Sequence, residues 1–154
     1  MCTVNGVASV SESAAADFVG RFQEYWRAPT PDGLDALFAP RVRLVAPMTP
    51  TTHTREQGKR AFADLFESIP GLTATVRRWG ATEDGVLIEF TLHGTAGGRP
   101  ISWDAVDRFV LDGDGLAIER ISYFDSVPVA LAVAARPKAW PDFARVQLAR
   151  LRRS

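Results

Sequence analysis

The spacing of apolar residues changes at Leu72, and this change constrains the fold more than any other feature. Before Leu72, apolar side chains recur every three or four residues, as on a helix; after it they alternate, as along a strand. Four alternating segments follow, at residues 72–82, 85–95, 100–111 and 115–125. The connections between them are rich in Gly and Asp, which tolerate the positive φ of hairpin turns. The second half therefore predicts a four-stranded antiparallel meander.

The first half predicts helices and a single strand. Apolar residues at helical spacing indicate an amphipathic helix over residues 11–26 and a short helix over 31–38, and residues 41–48 alternate as a strand. Thr54 and Gln57 form a capping-box pattern, which predicts the start of a third helix. Helices followed by an antiparallel meander are typical of an α+β fold, in which the helices pack on one face of the sheet.

The length of 154 residues predicts one domain, at residues 12–136. Residues 1–11 are small and polar, and we expect them to be disordered. Residues 137–154 contain several arginines at helical spacing and predict a basic C-terminal helical extension. Its charges are interpreted as a solvated helix face, with contact to a membrane or nucleic acid as the alternative.

Charge and cysteine content narrow the classes of function. The formal net charge is zero, so we expect neither nucleic acid nor a membrane as partner. Cys2 is the only cysteine, and the N-terminus lacks a signal-peptide pattern, so the expected location is cytoplasmic. His53 and His93 are the only histidines, and they form no metal-binding motif. We therefore predict no metal and no cofactor.

One strand of the predicted meander carries a carboxylate on an apolar face. Because side chains alternate along a strand, this face holds Ile101, Trp103, Ala105, Asp107, Phe109 and Leu111. A carboxylate in apolar surroundings needs a cation or hydrogen-bond donors, or else it becomes protonated. A protonated Asp107 would act as a general acid or hydrogen-bond donor. The alternative is a structural Asp107 bonded to a neighbouring Arg, Tyr or Trp.

The same face of the sheet is expected to form a substrate-binding pocket with the helices. The sequence predicts that its lining includes Phe22, Tyr25, Trp26, Met48, Phe62, Phe90, Trp103, Ser122 and Phe124. Arg120 shares the face of Ser122 and Phe124 on the last strand. An apolar cavity of roughly 300 Å³ or more with a few polar groups is typical of small-molecule sites. The alternative is a filled core, since aromatic stripes also serve packing.

His53 is the second candidate catalytic residue. It lies in a Thr- and Pro-rich loop before the third helix. Loops often carry catalytic groups, and histidine exchanges protons near neutral pH. The alternative is an exposed loop histidine without a role in catalysis.

Several segments resemble the SnoaL-like branch of the nuclear-transport-factor-2-like superfamily. They are RFQEYWRAPTPDGLDALFAP in the first two helices, VRLVAP in the first strand, VDRF in the third meander strand and ISYFDS near its end. The resemblance covers residues 12–136. It implies a cone-shaped α+β domain whose curved antiparallel sheet wraps around the N-terminal helices, with an internal pocket and a homodimer formed through the sheet.

Of two known activities of this superfamily, the residues of one are matched in part and those of the other are absent. Where ketosteroid isomerases have a tyrosine, a general-base aspartate and an oxyanion-hole acid, this chain has Phe22, Ala46 and Asp107. The Arg-Asp pair of limonene-epoxide-hydrolase-like enzymes corresponds to Ile88 and Phe90, and their other Asp to Ser122. The resemblance thus implies a cyclase- or isomerase-like reaction that uses Asp107, helped by His53.

Three hypotheses about function follow. The first is acid/base transformation of a small, mostly apolar metabolite, and the second is binding of such a molecule without chemistry. The third is a dimeric interaction scaffold with a filled interior, in which Arg108 and Val110 on the mixed face of the sheet contact a second copy.

Overall fold

The computed structural model describes residues 9–134 together with residues 141, 144, 145, 148 and 152. Its elements are, in order, α1 (Glu12–Arg27), a 3-10 helix (Asp32–Ala36), β1 (Phe38–Val45), β2 (Thr52–Thr54), α2 (Arg55–Ser68), β3 (Thr73–Ala81), β4 (Gly85–Ala96), β5 (Arg99–Leu111), β6 (Ala117–Tyr123) and α3 (Ser126–Ala134). Most of the predicted C-terminal extension lies outside the described residues, as do residues 1–8. Val10, within the segment expected to be disordered, donates its backbone N–H to the carbonyl of Glu83.

The six strands form one sheet in the order β2-β1-β6-β5-β4-β3. Strands β3 to β6 pair antiparallel in sequence order, which confirms the predicted meander. Burial alternates along β5, where Ala105, Asp107 and Phe109 are buried and the residues between them are more exposed. The predicted apolar face of this strand is therefore the inner face of the sheet. The α+β class and the order of helices and strands also agree with the prediction.

The first strand differs in detail from the sequence prediction. It begins at Phe38 and ends at Val45, and it pairs parallel with β6, so the sheet is mixed rather than wholly antiparallel. A parallel pair needs a long crossover connection, and here α2 and the strands that precede β6 supply it. The short strand β2, expected to be loop, pairs antiparallel with β1 at the edge of the sheet. The predicted helix over 31–38 is a single 3-10 segment.

Helix α1 packs an aromatic stripe against the inner face of the sheet. Ser11 caps the helix by accepting a hydrogen bond from the backbone N–H of Ala14. The ring of Phe22 lies 5.2 Å from that of Phe90 and 5.7 Å from that of Phe109, in edge-to-face geometry. Such aromatic pairs add specific geometry to the burial of apolar area. They fill the interior beneath α1 with ring carbons.

Helix α2 lies close to β1 because Gly58 has no side chain. A Cβ atom at Gly58 would stand 2.6 Å from Cδ1 of Leu44, which is too close for a van der Waals contact. The start of α2 is held by the predicted capping box between Thr54 and Gln57. The helix buries Phe62 against the ring of Trp26, at 6.3 Å. This placement of α2 forms one wall of the cavity described next.

Candidate functional site

A mostly apolar cavity of about 100 Å³ lies between α2, the chain that follows β1, and the inner face of β5 and β6. Its lining consists of Trp26, Leu44, Ala46, Pro47, Thr49, Pro50, Thr52, Ala61, Phe62, Leu65, Leu92, Trp103, Arg120, Ser122 and Phe124. Arg120 is the only charged residue among them. The cavity is smaller than the expected 300 Å³, so it fits a small ligand or one that extends through an opening.

Arg120 also forms an ion pair with the buried carboxylate of Asp107. Asp107 is completely buried, and its Oδ2 accepts a hydrogen bond from Nε of Arg120 at 2.5 Å. Charge-assisted hydrogen bonds of this length are the strong ones in proteins. The side chain of Arg120 retains 13% of its exposure and reaches the cavity, whereas Asp107 does not belong to the lining. Arg120 therefore borders the cavity, whereas the carboxylate of Asp107 contacts Arg120 and does not border the cavity.

The guanidinium group of Arg120 is held on two sides. Its Cζ lies 5.4 Å from the centroid of the Phe62 ring, within the range of a cation–π contact. Nε is occupied by Asp107, while Nη1 and Nη2 donate no hydrogen bond to any residue that the structure describes. The end of the guanidinium group is therefore available to a partner that the chain does not provide.

Several other polar atoms near the cavity are buried without a hydrogen-bond partner among the described residues. They are Oη of Tyr25, Oγ1 of Thr52, Nε1 of Trp103 and Oδ1 of Asp107. Buried polar atoms are paired in the great majority of cases, so each unpaired one needs an explanation, such as a water or a ligand. Burial raises the pKa of the Tyr25 hydroxyl above its ordinary value, and the positive charge of Arg120 opposes this shift. Tyr25 therefore stays neutral through the physiological range.

The structure brings together five of the residues predicted to bind substrate. Trp26, Phe62, Trp103, Ser122 and Phe124 all line the cavity.

The other predicted pocket residues lie elsewhere. Phe22 and Phe90 belong to the packed core beneath α1, and Tyr25 is buried outside the lining. Met48 is 49% exposed and adopts a φ of 64° in the turn after β1, because the alternation of that strand stops at Val45. Met48 therefore does not line this cavity.

The structure places His53, the second candidate catalytic residue, outside the cavity. His53 lies on the edge strand β2, where its side chain is exposed and outside the cavity lining. Its backbone N–H donates to Oε1 of Gln57, as part of the cap of α2. In this structure His53 is an edge residue that supports the helix start.

Arg120 lines the cavity but is not among the site residues predicted from the sequence. The alternation along the last strand places Arg120 on the face of Ser122 and Phe124, whereas the predicted lining consists mostly of apolar residues. The useful signal was a pair: one carboxylate on the inner face of β5 and one cation on the inner face of the neighbouring strand β6. Two opposite charges placed in this way predict a buried ion pair. This corresponds to the alternative interpretation of Asp107 as a structural residue bonded to a neighbouring Arg.

Among the described residues, no group of three or more His, Cys, Asp or Glu side chains lies close enough together to hold a metal ion. Within the same part of the chain, no helix combines the length and apolar character that crossing a bilayer requires.

An α+β domain with an apolar cavity between helices and a curved sheet defines a class of small domains, and the comparisons identify the family. Residues 19–120 match the SnoaL-like domain family, so the chain belongs to that family. Comparison with curated proteins finds no match.

Solved structures confirm the fold. A Jannaschia protein described as a SnoaL-like polyketide cyclase is 21% identical, with a TM-score of 0.71 over 88% of this chain and 100% of its own. TerC, crystallised with polyporic acid, is 19% identical, with a TM-score of 0.71 over 79% and 98%. A protein of ketosteroid-isomerase-like fold from Catenulispora acidiphila, in complex with trimethylamine, is 23% identical, with a TM-score of 0.69 over 80% and 96%. At these identities the likeness establishes the fold alone.

Replacing Arg120 should cost more stability than replacing Asp107. Arg120→Met leaves a buried carboxylate without its cation, and we expect the free energy of unfolding to fall by about 3–5 kcal/mol. Asp107→Asn leaves an arginine that borders the cavity and keeps a hydrogen-bond acceptor beside it, so we expect a loss of about 1–3 kcal/mol. Urea denaturation of both variants measures the difference.

Arg43→Met is the matched control for this comparison. Arg43 pairs with Glu119 on the surface at 3.0 Å, and its side chain is 48% exposed, so its loss should cost less than about 1 kcal/mol. Equal losses from Arg120→Met and Asp107→Asn would contradict the unequal burial on which the prediction depends.

Proposed function

We propose that this protein binds a small, mostly apolar molecule in the cavity between α2 and the inner face of the sheet. The observation that carries the proposal is a cavity walled by aromatic and aliphatic side chains into which one cation, Arg120, projects. Small-molecule sites have this composition: an apolar lining that supplies affinity and a few polar groups that fix orientation. The unpaired polar atoms of Thr52 and Trp103, both lining residues, add support.

The relatives give a second line of support. Proteins of the same fold have been crystallised with polyporic acid and with trimethylamine, so this fold accommodates small molecules of different chemistry. The size of the cavity favours a ligand of about one ring, or one ring of a larger molecule whose remainder stays outside.

Filling the cavity should abolish binding without changing the fold. Ala61 lines the cavity from α2, whereas Ala63 lies on the exposed side of the same helix. With cyclohexanone as the probe, we expect a rise in melting temperature for the wild type and for Ala63→Leu, and none for Ala61→Leu. A ligand at 100 times its Kd stabilises the folded state by about 2.7 kcal/mol.

Circular dichroism of both variants shows whether the fold is intact. A thermal shift that persists in Ala61→Leu would place the binding site elsewhere. The absence of any shift with the wild type would favour the scaffold hypothesis, because a closed interior has no room for the probe.

Acid/base catalysis is the second candidate function, and Oδ1 of Asp107 is the observation that favours it. This oxygen is buried and has no partner among the described residues, so it can accept a proton. Ser122 lies opposite Asp107 on β6 and lines the cavity. Its hydroxyl would relay a proton between Asp107 and a molecule bound in the cavity. The reaction class would be proton abstraction beside a carbonyl group, as in isomerases and cyclases.

Deuterium exchange tests this second candidate with the same probe. In D₂O, the wild type should accelerate exchange of the α-protons of cyclohexanone, followed by NMR. Asp107→Asn should slow the catalysed exchange by about 10²–10⁴-fold while the thermal shift by cyclohexanone persists. Equal exchange by both proteins would assign Asp107 to structure and leave binding as the function.

We also propose that the outer face of the sheet forms a homodimer. Leu87 is 40% exposed, Ile118 42% and Tyr123 54%, and Arg108 binds Asp84 and Glu119 among them. Apolar side chains surrounded by fixed charges are typical of an interaction surface. A two-fold axis across this face would let the same residues of two copies meet.

Sedimentation velocity tests the dimer. The wild type should sediment as a dimer, and Leu87→Lys should shift it toward the monomer because it buries two unpaired charges in a two-fold interface. Leu131→Lys, on α3 and 63% exposed, is the matched control and should leave the dimer intact. A monomeric wild type would contradict the proposal.

A further inference from the structure

We infer that the ligand of this cavity is a small hydrophobic carboxylate, whose two oxygens are bound by the free end of Arg120. The inference rests on the proposed binding function and names the class of ligand. It depends on the orientation of the guanidinium group, on the donors that line the cavity and on the absence of acidic groups in that lining.

The geometry of Arg120 favours a ligand with two adjacent oxygens. A guanidinium group presents its N–H groups as forks that match a carboxylate with two parallel hydrogen bonds. Nε of Arg120 is committed to Asp107, so the remaining fork is the end formed by Nη1 and Nη2. Neither of these nitrogens has a hydrogen-bond partner among the residues that the structure describes. A carboxylate at the cavity wall would complete this fork.

Asp107 and Phe62 hold the guanidinium group in place before any ligand binds. The carboxylate of Asp107 fixes its Nε edge, and the Phe62 ring lies against the group at 5.4 Å from Cζ. An arginine that is already ordered loses little side-chain entropy on binding, which leaves more of the interaction energy for affinity. Asp107 thus acts as a positioning residue for Arg120 in this inference.

Other polar groups of the lining can also donate a hydrogen bond to an oxygen atom of the ligand. Nε1 of Trp103 is a donor only, and it is buried without a partner in the described part of the chain. The hydroxyl of Thr52 is unpaired in the same way and can donate. A ligand oxygen would satisfy donors of this kind, whereas a ligand rich in donors would leave them unpaired.

The lining contains no opposing charge. The described residues around the cavity include no Asp, Glu or Lys, and Asp107 stands outside the lining on the far side of Arg120. A bound anion would therefore meet the positive end of the pair first. The rest of the wall is apolar, with Trp26, Phe62 and Leu65 among its members, and suits a hydrocarbon ring attached to the carboxylate.

Benzoate and benzamide form the matched pair of probes, because they share size and shape and differ in charge. We expect NMR titration at pH 7 to give benzoate at least about a tenfold lower Kd than benzamide, since hydrogen bonds to charged groups contribute more than neutral ones. Equal affinity for the two probes would overturn the inference.

Variants assign the preference to Arg120. The single change Arg120→Met leaves the buried Asp107 carboxylate without its cation. The informative variant is therefore the double change Arg120→Met with Asp107→Leu, which removes both charges together. This variant should bind benzamide within about threefold of the wild type and lose the tenfold preference for benzoate. Arg43→Met, which removes a surface cation on β1, should retain the preference in full.

The outcomes separate this inference from the proposed function. If benzamide and cyclohexanone bind in the cavity and benzoate binds no more tightly, the ligand is not a carboxylate and the binding function stands. If the double variant keeps the benzoate preference, another group provides the recognition and the inference falls. If none of the three probes binds the wild type, the binding function and this inference both fall.

Discussion

The ion pair between Arg120 and Asp107 is the interaction on which the candidate site depends. Asp107 is completely buried, and a carboxylate in that position without a cation would cost several kcal/mol. In the β5–β6 ladder, Arg120 lies opposite Phe109 and Asp107 lies opposite Ser122, so the two charges are diagonal neighbours on the inner face. A long arginine side chain spans such a diagonal. The same residue then pairs with one oxygen of the buried carboxylate and supplies the cavity with its charge.

The position of the cavity follows from where the aromatic residues pack. Beneath α1, the rings of Phe18 and Phe22 both pack against the ring of Phe109 and fill the interior. Toward β1, the wall includes the small residues Ala46 and Ala61, and these leave a space that larger side chains would occupy. Close packing elsewhere and small residues here are consistent with the modest volume of the cavity.

The fold followed from the sequence because its signals are local. The alternation along residues 100–111 and the Gly-rich turns determine strands and hairpins without reference to distant parts of the chain. The parallel pairing of β1 with β6 joins residues about 75 positions apart, and no local pattern specifies it. The edge strand β2 is three residues long and offers too few residues for a periodicity.

The candidate site was predictable only to the extent that it depends on strand faces. Alternation placed Asp107, Trp103 and Ser122 on the inner face correctly, since a face depends only on parity. Met48 lies beyond the end of β1, and His53 lies on the three-residue strand β2, which is too short for parity to be read from the sequence. Both side chains are exposed. The difference between lining a cavity and filling a core is a matter of packing in three dimensions, so Phe22 and Phe90 could not be separated from Trp26 and Phe62 by sequence.

The ion pair also changes the chemistry that the family resemblance implied. In the ketosteroid isomerase pattern, the residue at the position of Asp107 is an acid that donates a hydrogen bond to an oxyanion. Here Oδ2 of that carboxylate accepts a hydrogen bond from Nε of Arg120 and so faces a cation. The donor that faces the cavity is instead the guanidinium group of Arg120. In the inferred complex, the oxygens of the ligand would therefore be bound by a guanidinium group rather than by a carboxylic acid.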